Sequence, residues 1–191
     1  GLFVCLMGYF GYFLQVQSET VINNSYNARL DSFSDRIIRG EILSNDGTVL
    51  AKTNVAEDGT EVREYPYGSL FAHVVGYSEQ GKTGLESLAN FYLLSSHMNL
   101  VEQAVNELSD VKNLGDQVVT TLDVGLQQAA SDALGDRRGA VVVMEPDTGK
   151  ILAMVSKPGF DPNQLSSQWE SLISGDNTEA QLLNRATQGV Y

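Results

Sequence analysis

Gly76-Tyr77-Ser78-Glu79-Gln80-Gly81-Lys82-Thr83 matches the pattern G-x-x-x-x-G-K-[ST] letter for letter, with an apolar element before it and a helical pattern after it. Such a loop binds phosphate when backbone N–H groups, a lysine and a helix N-terminus converge on phosphate oxygens and the hydroxyl serves Mg²⁺. That chemistry also needs a buried parallel sheet with an acidic partner at a strand end. Few strands here alternate with helices, and Glu79 puts a negative charge where phosphates would lie. The stretch therefore reads as a turn, with a P-loop NTPase as the rival in which Lys82 is essential. Ser109-Asp110-Val111-Lys112 and Lys82-Thr83-Gly84 match S-x-x-K and K-T-G, two short patterns of serine acyl transfer. A nucleophilic serine must start a helix so that the lysine one turn later faces it. Ser109 instead closes an amphipathic pattern ahead of Gly115, so no nucleophile is assigned there. His73 and His97 have no cysteine or aspartate cluster at metal-ligand spacing, and neither a metal nor a cofactor is expected. A triad of Ser32 or Ser34 with His73 lacks a G-x-S-x-G elbow, and Glu57 and Asp58 read as solvated loop carboxylates.

The elements that must position these residues follow from periodicity and turn chemistry. Ile37 to Leu43 and Thr48 to Thr53 are strand candidates joined by Ser44-Asn45-Asp46-Gly47, whose Asp-Gly pair is a hairpin signal. Tyr65-Pro66-Tyr67-Gly68 punctuates the chain before Leu70 to Tyr77, an apolar element that fits a strand or a short helix. Gly84 to Leu94 and Leu100 to Leu108 carry helical spacing. Val118 to Leu122 is a short strand candidate, and Asp123 is placed to cap a helix from Val124 to Leu134 that Gly135 ends. In Gly139 to Asn163 two apolar runs flank the turn Pro146-Asp147-Thr148-Gly149, which predicts a hairpin with both faces largely buried. Leu165, Trp169, Leu172 and Ile173 then share one face of a predicted helix.

At 191 residues and 42% hydrophobic content the chain can build a real core. The excess of 24 acidic over 12 basic residues, a net charge of -12, disfavours nonspecific attraction to nucleic acid or an anionic membrane surface. Gly1 to Val16 has no charged residue, and with no initiating methionine it reads as the end of a membrane anchor; a buried core helix is the alternative. Cys5, the single cysteine, lies in that run, so no intrachain disulfide forms.

Taken in order, these motifs resemble the class B penicillin-binding proteins. Arg39-Gly40-x-Ile42 with Gly47 and Leu50-Ala51 is similar to the first N-terminal motif of that family. Arg63-x-Tyr65-Pro66-x-Gly68 with His73 and Gly76 is similar to the second, and Gly81-Lys82-Thr83-Gly84-Leu85-Glu86 to the third, which explains the phosphate-loop match as a turn entering a helix. Thr120 to Asp123 with Leu126-Gln127 resembles the junction to the transpeptidase domain, and Gly139 to Asn163 the opening of that domain. Ser44-Asn45 departs from the Asp-Arg usual in the family, a change the hairpin should survive.

The resemblance implies an α+β fold. It divides the chain into an anchor remnant (1–17), a pedestal or dimerisation domain (18–136) and an incomplete transpeptidase domain (137–191). It implies a peptidoglycan D,D-transpeptidase whose acylated serine, in a Pro-Gly-Ser-x-x-Lys setting after Asn184-Arg185-Ala186 and Tyr191, lies beyond Tyr191; a noncatalytic scaffold is the alternative. No catalytic residue is then expected within the chain, and Arg39, Gly40, Gly47, Arg63, Pro66, Gly68, Gly84 and Glu86 are its structural residues. Of these, Arg39, Arg63 and Glu86 are expected to be buried or paired at interdomain contacts. The implied partners are peptidoglycan stem peptides, cell-wall synthesis proteins bound through the pedestal, and a second copy. The implied location is the cell membrane, with a single-pass anchor and an extracytoplasmic domain.

Overall fold

The computed structural model describes residues 2–12, 36–97, 112–174 and 179–189. The helix expected over Leu100 to Leu108 and the residues Ser109 to Val111 lie outside them. The mixed α+β class is borne out. Helix α1 (Leu2–Tyr12) carries the apolar N-terminal run. At about 1.5 Å per residue its eleven residues reach roughly half of a bilayer core of about 30 Å. Among the described residues no helix is long and apolar enough to cross a membrane.

The single strand expected over Ile37 to Leu43 is two: β1 (Ile37–Ile38) and β2 (Ile42–Leu43). The break follows from Gly40, whose N–H donates to the carbonyl of Leu93 at 2.9 Å instead of to a neighbouring strand. β2 turns into β3 (Val49–Val55) through the Asp-Gly turn, and β4 (Glu61–Glu64) follows. The substituted turn is held by Ser44, whose hydroxyl donates to Asp46 Oδ1 at 2.5 Å and accepts from the Thr48 N–H at 3.0 Å. The Ser44 hydroxyl first, then Thr48, hold the Asp46 carboxyl down at about 2. Leu70 to Tyr77 resolves as a 3₁₀ turn (Gly68–Leu70) and helix α2 (Ala72–Val75). The stretch from Gly84 is two short helices, α3 (Gly84–Leu88) and α4 (Asn90–Leu93), which meet at Ala89.

β5 (Asn113–Leu114) pairs parallel with β1, and β6 (Val118–Val119) pairs parallel with β2, giving a four-stranded sheet in the order β4-β3-β2-β6. The strand expected to reach Leu122 stops at Val119, because the chain turns there to enter the next helix. That helix is α5 (Val124–Leu134), capped as expected by Asp123, whose Oδ1 accepts the Leu126 N–H at 2.8 Å. Gly135, at φ +58°, ends it. The antiparallel hairpin of β7 (Gly139–Met144) and β8 (Ile151–Lys157) packs one face on α5 through Ala130, Val141, Val143, Ala153 and Val155. Its other face is covered only in part: Val142 and Met144 are exposed, while Ser156 is buried, donating to the Leu183 carbonyl and accepting the Arg185 N–H.

Two further clusters organise the chain. Ile42, Leu50, Phe71, Val75, Leu93 and Leu122 join the sheet to α2–α4. Ile42, Leu50 and Leu93 are fully inaccessible, and burying such a side chain contributes about 1.5–3 kcal/mol. Ala72 and Tyr77 pack with Phe160, Leu165 and Leu172, tying the first half of the chain to helix α6 (Leu165–Ile173). Trp169 meets Tyr77 edge-on at 6.2 Å. Ile173 does not share that face and is exposed, since the helix ends there.

Candidate functional site

Arg39 in the gap between β1 and β2, Arg63 on β4 and Glu86 in α3 come together, although they are far apart in sequence. Arg39 Nε donates to Glu86 Oε2 at 2.6 Å, its Nη1 to Asn90 Oδ1 at 2.6 Å and its Nη2 to the Glu86 carbonyl at 2.7 Å. Arg63 Nε donates to Glu86 Oε1 at 2.8 Å, and its Nη1 to the Gly40 carbonyl at 2.7 Å. The Tyr65 hydroxyl donates to Glu86 Oε1 at 3.3 Å and accepts the Ser78 N–H at 3.1 Å. Glu86 is fully buried, so each of its oxygens trades solvent for a guanidinium. Two guanidinia on one carboxylate leave a positive charge in excess, and Arg63 Nη2 has no hydrogen-bond partner among the described residues. Burial first, and then the Glu86 carboxylate, push the Tyr65 phenol upward, which keeps it a neutral donor.

Of the expected glycines and proline, Gly40 and Gly84 adjoin this cluster, and Gly47, Pro66 and Gly68 lie in turns. A Cβ on Gly40 would lie 2.0 Å from the Asp116 carbonyl oxygen. Gly84, at φ +54°, faces the Val74 carbonyl, 2.6 Å from where its Cβ would be. Gly47 occupies the β2–β3 turn. Pro66 and Gly68 sit in a turn closed by the Gly68 N–H to the Tyr65 carbonyl at 2.9 Å, with the Asp161 side chain against Gly68.

Beside the cluster, Tyr65 meets the later residues. Its N–H donates to Asn163 Oδ1 and its carbonyl accepts from Asn163 Nδ2, both at 2.9 Å, so one side chain imitates a strand pair. Gln127 is fully buried on the inner face of α5. Its Nε2 donates to the carbonyls of Leu70 at 2.8 Å and Met154 at 2.9 Å, and its Oε1 accepts the Met154 N–H at 2.8 Å. Asn184 Nδ2 donates to the His73 carbonyl at 3.2 Å, and buried Arg185 donates to the carbonyl of Glu179 at 2.6 Å. Sequence reasoning gave Asn163 and Gln127 no contact role. The available signal was Gln127 itself, an amide at the same helical spacing as the core positions Ala130 and Leu134. Replacing Gln127 with leucine is expected to lower the unfolding free energy by about 2–4 kcal/mol, because three backbone groups lose their partner. Urea unfolding checks the size, and faster hydrogen exchange at the Met154 amide checks the cause.

His73 is buried, edge-on to Phe160 at 5.3 Å, with Nε2 near the Pro158 carbonyl. Burial is the main cause that depresses its pKa. As pH falls below the ordinary histidine value of about 6.5, the unfolded chain takes up a proton that the folded chain refuses, so stability is lost on acidification. A His73→Gln variant is expected to show a shallower fall of melting temperature between neutral and mildly acidic pH than the parent.

The remaining motifs are placed as follows. Gly76 to Thr83 runs from helix α2, not from a strand, and three of its N–H groups are occupied within the protein, Gly76 by the Ala72 carbonyl, Ser78 by the Tyr65 hydroxyl and Thr83 by the Tyr77 carbonyl. This is a turn into a five-residue helix, not a phosphate cradle. Lys112 of the S-x-x-K match pairs with Glu61 at 2.6 Å. His97 pairs with Asp116 at the surface. Glu57 and Asp58 are exposed, and the Asp58 carboxyl is lowered by hydrogen bonds from Thr60.

Residues 39–118 match the family model for the penicillin binding protein A dimerisation domain, and residues 139–191 match that for the penicillin binding protein transpeptidase domain. The chain is 37% identical over 180 residues to the peptidoglycan D,D-transpeptidase PbpA of Mycolicibacterium smegmatis, covering 85% of this chain and 35% of that protein. The crystal structure of the D,D-transpeptidase domain of a peptidoglycan glycosyltransferase from Eggerthella lenta is similar, with 40% identity and a TM-score of 0.64 over 79% of this chain and 32% of that one. Penicillin-binding protein A from M. tuberculosis, as its imipenem acyl-enzyme complex, aligns at 33% identity and a TM-score of 0.66, over 78% of this chain and 37% of that one. The chain thus spans roughly a third of the length of these relatives. With the two domain matches in this order on one continuous chain, and with these relatives, it belongs to the class B penicillin-binding proteins.

Proposed function

We propose that these residues are the pedestal and the opening of the catalytic domain of a serine D,D-transpeptidase that cross-links peptidoglycan. The observation that carries the reading is the succession of the two domain matches, supported by the way Tyr65 and His73 of the first are bonded to Asn163 and Asn184 of the second, and by Gln127, between the two matches, which bridges the carbonyls of Leu70 and Met154. In the proposed reaction a serine Oγ attacks the carbonyl between the two D-alanines of a donor stem peptide. The peptide C–N bond breaks, the terminal D-alanine leaves with the proton as a free amine, and an ester remains on the serine. An amine of a neighbouring strand then attacks that ester, forms the cross-linking amide and returns the proton to the serine. A β-lactam enters the same first step through its ring amide. Within these 191 residues S-x-x-K occurs at Ser109 alone, which is not assigned to this chemistry.

The division into 1–17, 18–136 and 137–191 belongs to this reading. In it the apolar N-terminal run contributes to a single-pass anchor, and the domains stand outside the cell membrane. The pedestal meets cell-wall synthesis proteins and a second copy, consistent with its match to a dimerisation domain. The net charge of -12 supports a protein that does not engage nucleic acid. Arg39, Arg63 and Glu86 hold the pedestal sheet against α3, and Tyr65 passes that geometry to Asn163. Reading the gene beyond the Tyr191 codon tests the proposal. A downstream S-x-x-K followed by S-x-N and K-T-G supports it, and a stop codon there leaves a noncatalytic scaffold.

A further inference from the structure

Residues 179–189 form turns, with neither a helix nor a strand among them, so side chains and a few backbone bonds hold them in place. Buried Arg185 closes the stretch on itself and on β8. Its Nη2 donates to the Glu179 carbonyl at 2.6 Å, its Nη1 to the Ala180 carbonyl at 3.2 Å and its N–H to Ser156 Oγ at 3.0 Å. Asn184 does something different. Its Oδ1 accepts the Ala186 N–H at 3.1 Å, and its carbonyl accepts the N–H groups of Thr187 and Gln188 at 3.2 and 2.8 Å, so it starts the turn that follows. Its Nδ2 leaves the stretch and donates to the carbonyl of His73, in the last turn of α2. Carbonyls of a last turn lack a partner within their helix, and the His73 ring is itself packed on Phe160. One end of a single amide thus holds the turn, and the other end ties that turn to the dimerisation-domain match at 39–118.

We propose that Asn184 is a positioning residue for the acylation step, acting through the stretch it anchors and not on the reacting atoms. The proposal rests on the transpeptidase reading, in which the chain runs from Asn184-Arg185-Ala186 on to the acylated serine. In that step the serine Oγ–C bond forms, the C–N bond of the donor or β-lactam breaks, and the proton passes to the departing nitrogen. Attack requires the reacting atoms to stand about 3–3.5 Å apart and aligned, and a displacement of about 1 Å costs up to about a hundredfold in rate. The stretch has no strand pairing of its own, so the bond to His73 fixes where it lies relative to α2. Arg185 keeps its local fold when that bond is lost, which confines the effect to position.

Acylation of the full-length protein by benzylpenicillin, timed over a range of concentrations, separates the noncovalent dissociation constant from the rate of bond formation. Asn184→Ala is expected to slow bond formation about tenfold and to leave the dissociation constant within about twofold of the parent's. Asn184→Asp keeps an acceptor for the Ala186 N–H but sets an oxygen against the His73 carbonyl, so it is expected to be as slow as Asn184→Ala. Gly47→Ala, in the β2–β3 turn with open space around its Cβ position, lowers stability without touching this stretch and is expected to keep the parental rate. Parental rates in both Asn184 variants would overturn the proposal. So would a parental rate in Asn184→Asp alone, which would leave only the Ala186 turn, or an equally slow Gly47→Ala, which would make the rate a measure of stability. In each of these cases the parent is acylated and the transpeptidase reading stands. A parent that takes up no benzylpenicillin overturns that reading and the proposal together.

Discussion

Replacing Glu86 with alanine is expected to lower the unfolding free energy by about 3–5 kcal/mol, one of the two largest losses among single substitutions considered for this chain. The carboxylate is fully buried, and its two oxygens take the Nε donors of Arg39 and Arg63 at 2.6 and 2.8 Å. Removing it leaves two guanidinium groups in a region closed to water, and the Tyr65 hydroxyl loses an acceptor. Desolvation, not the lost attraction alone, sets the size of the effect, because an ion pair of this depth contributes little net stability while it is intact. The order of the variants follows from the same physics. Glu86→Gln keeps the shape and some of the hydrogen bonds but not the charge, so it falls between the parent and Glu86→Ala. Removing the more exposed Arg39 costs less than removing Arg63, whose side chain is 5% exposed against 11%. Urea denaturation of the four variants measures this order. A Glu86→Ala loss below about 1 kcal/mol would show that the three charges do not meet as described.

Gly40→Ala is expected to be of similar size, about 3 kcal/mol or more, by a different route. Its added carbon would stand 2.0 Å from the Asp116 carbonyl oxygen and 2.8 Å from the Gly115 carbonyl carbon, both backbone atoms. Neither can swing aside as a side-chain tip would. Relief requires the β1–β2 connection to move off the chain that enters β6, which breaks the Gly40 N–H bond to Leu93 and displaces Arg39 next to it. Gly47→Ala supplies the comparison. Gly47 lies at φ +86° with open space around its Cβ position, so the same substitution costs only the backbone preference, about 1 kcal/mol. Melting temperatures of the two variants side by side separate steric contact from conformational preference.

Much of this arrangement is legible in the residues. The Asp-Gly turn, the Asp123 cap and the apolar runs around Pro146 to Gly149 each have a local cause, and each forms. The breaks were not legible, because their causes are distant. Ile37 to Leu43 reads as one strand, yet Gly40 bonds to Leu93, more than fifty residues away. The second face of the β7–β8 hairpin reads as buried from composition alone, but what covers a face is decided by other elements: α5 covers one face, and residues 183–185 cover the other at its Ser156 end, leaving Val142 and Met144 exposed. The order of family motifs marked Arg39, Arg63 and Glu86 for interdomain contacts, whereas the ion pairs they form lie within residues 39–118 and join the sheet to α3, since nothing near Arg39 in sequence announces Glu86. Gln127 and Asn163 act through backbone partners, and backbone groups leave no mark in a sequence.

The serine chemistry assigned to the parent protein is tested most directly by treating the protein, purified from its own source, with benzylpenicillin and mapping the adduct by mass spectrometry of its peptides. The expected result is one benzylpenicillin joined as an ester to a serine of an S-x-x-K that lies outside these 191 residues, with Ser109 unmodified. An adduct on Ser109, or a protein that takes up no benzylpenicillin at all, would contradict it.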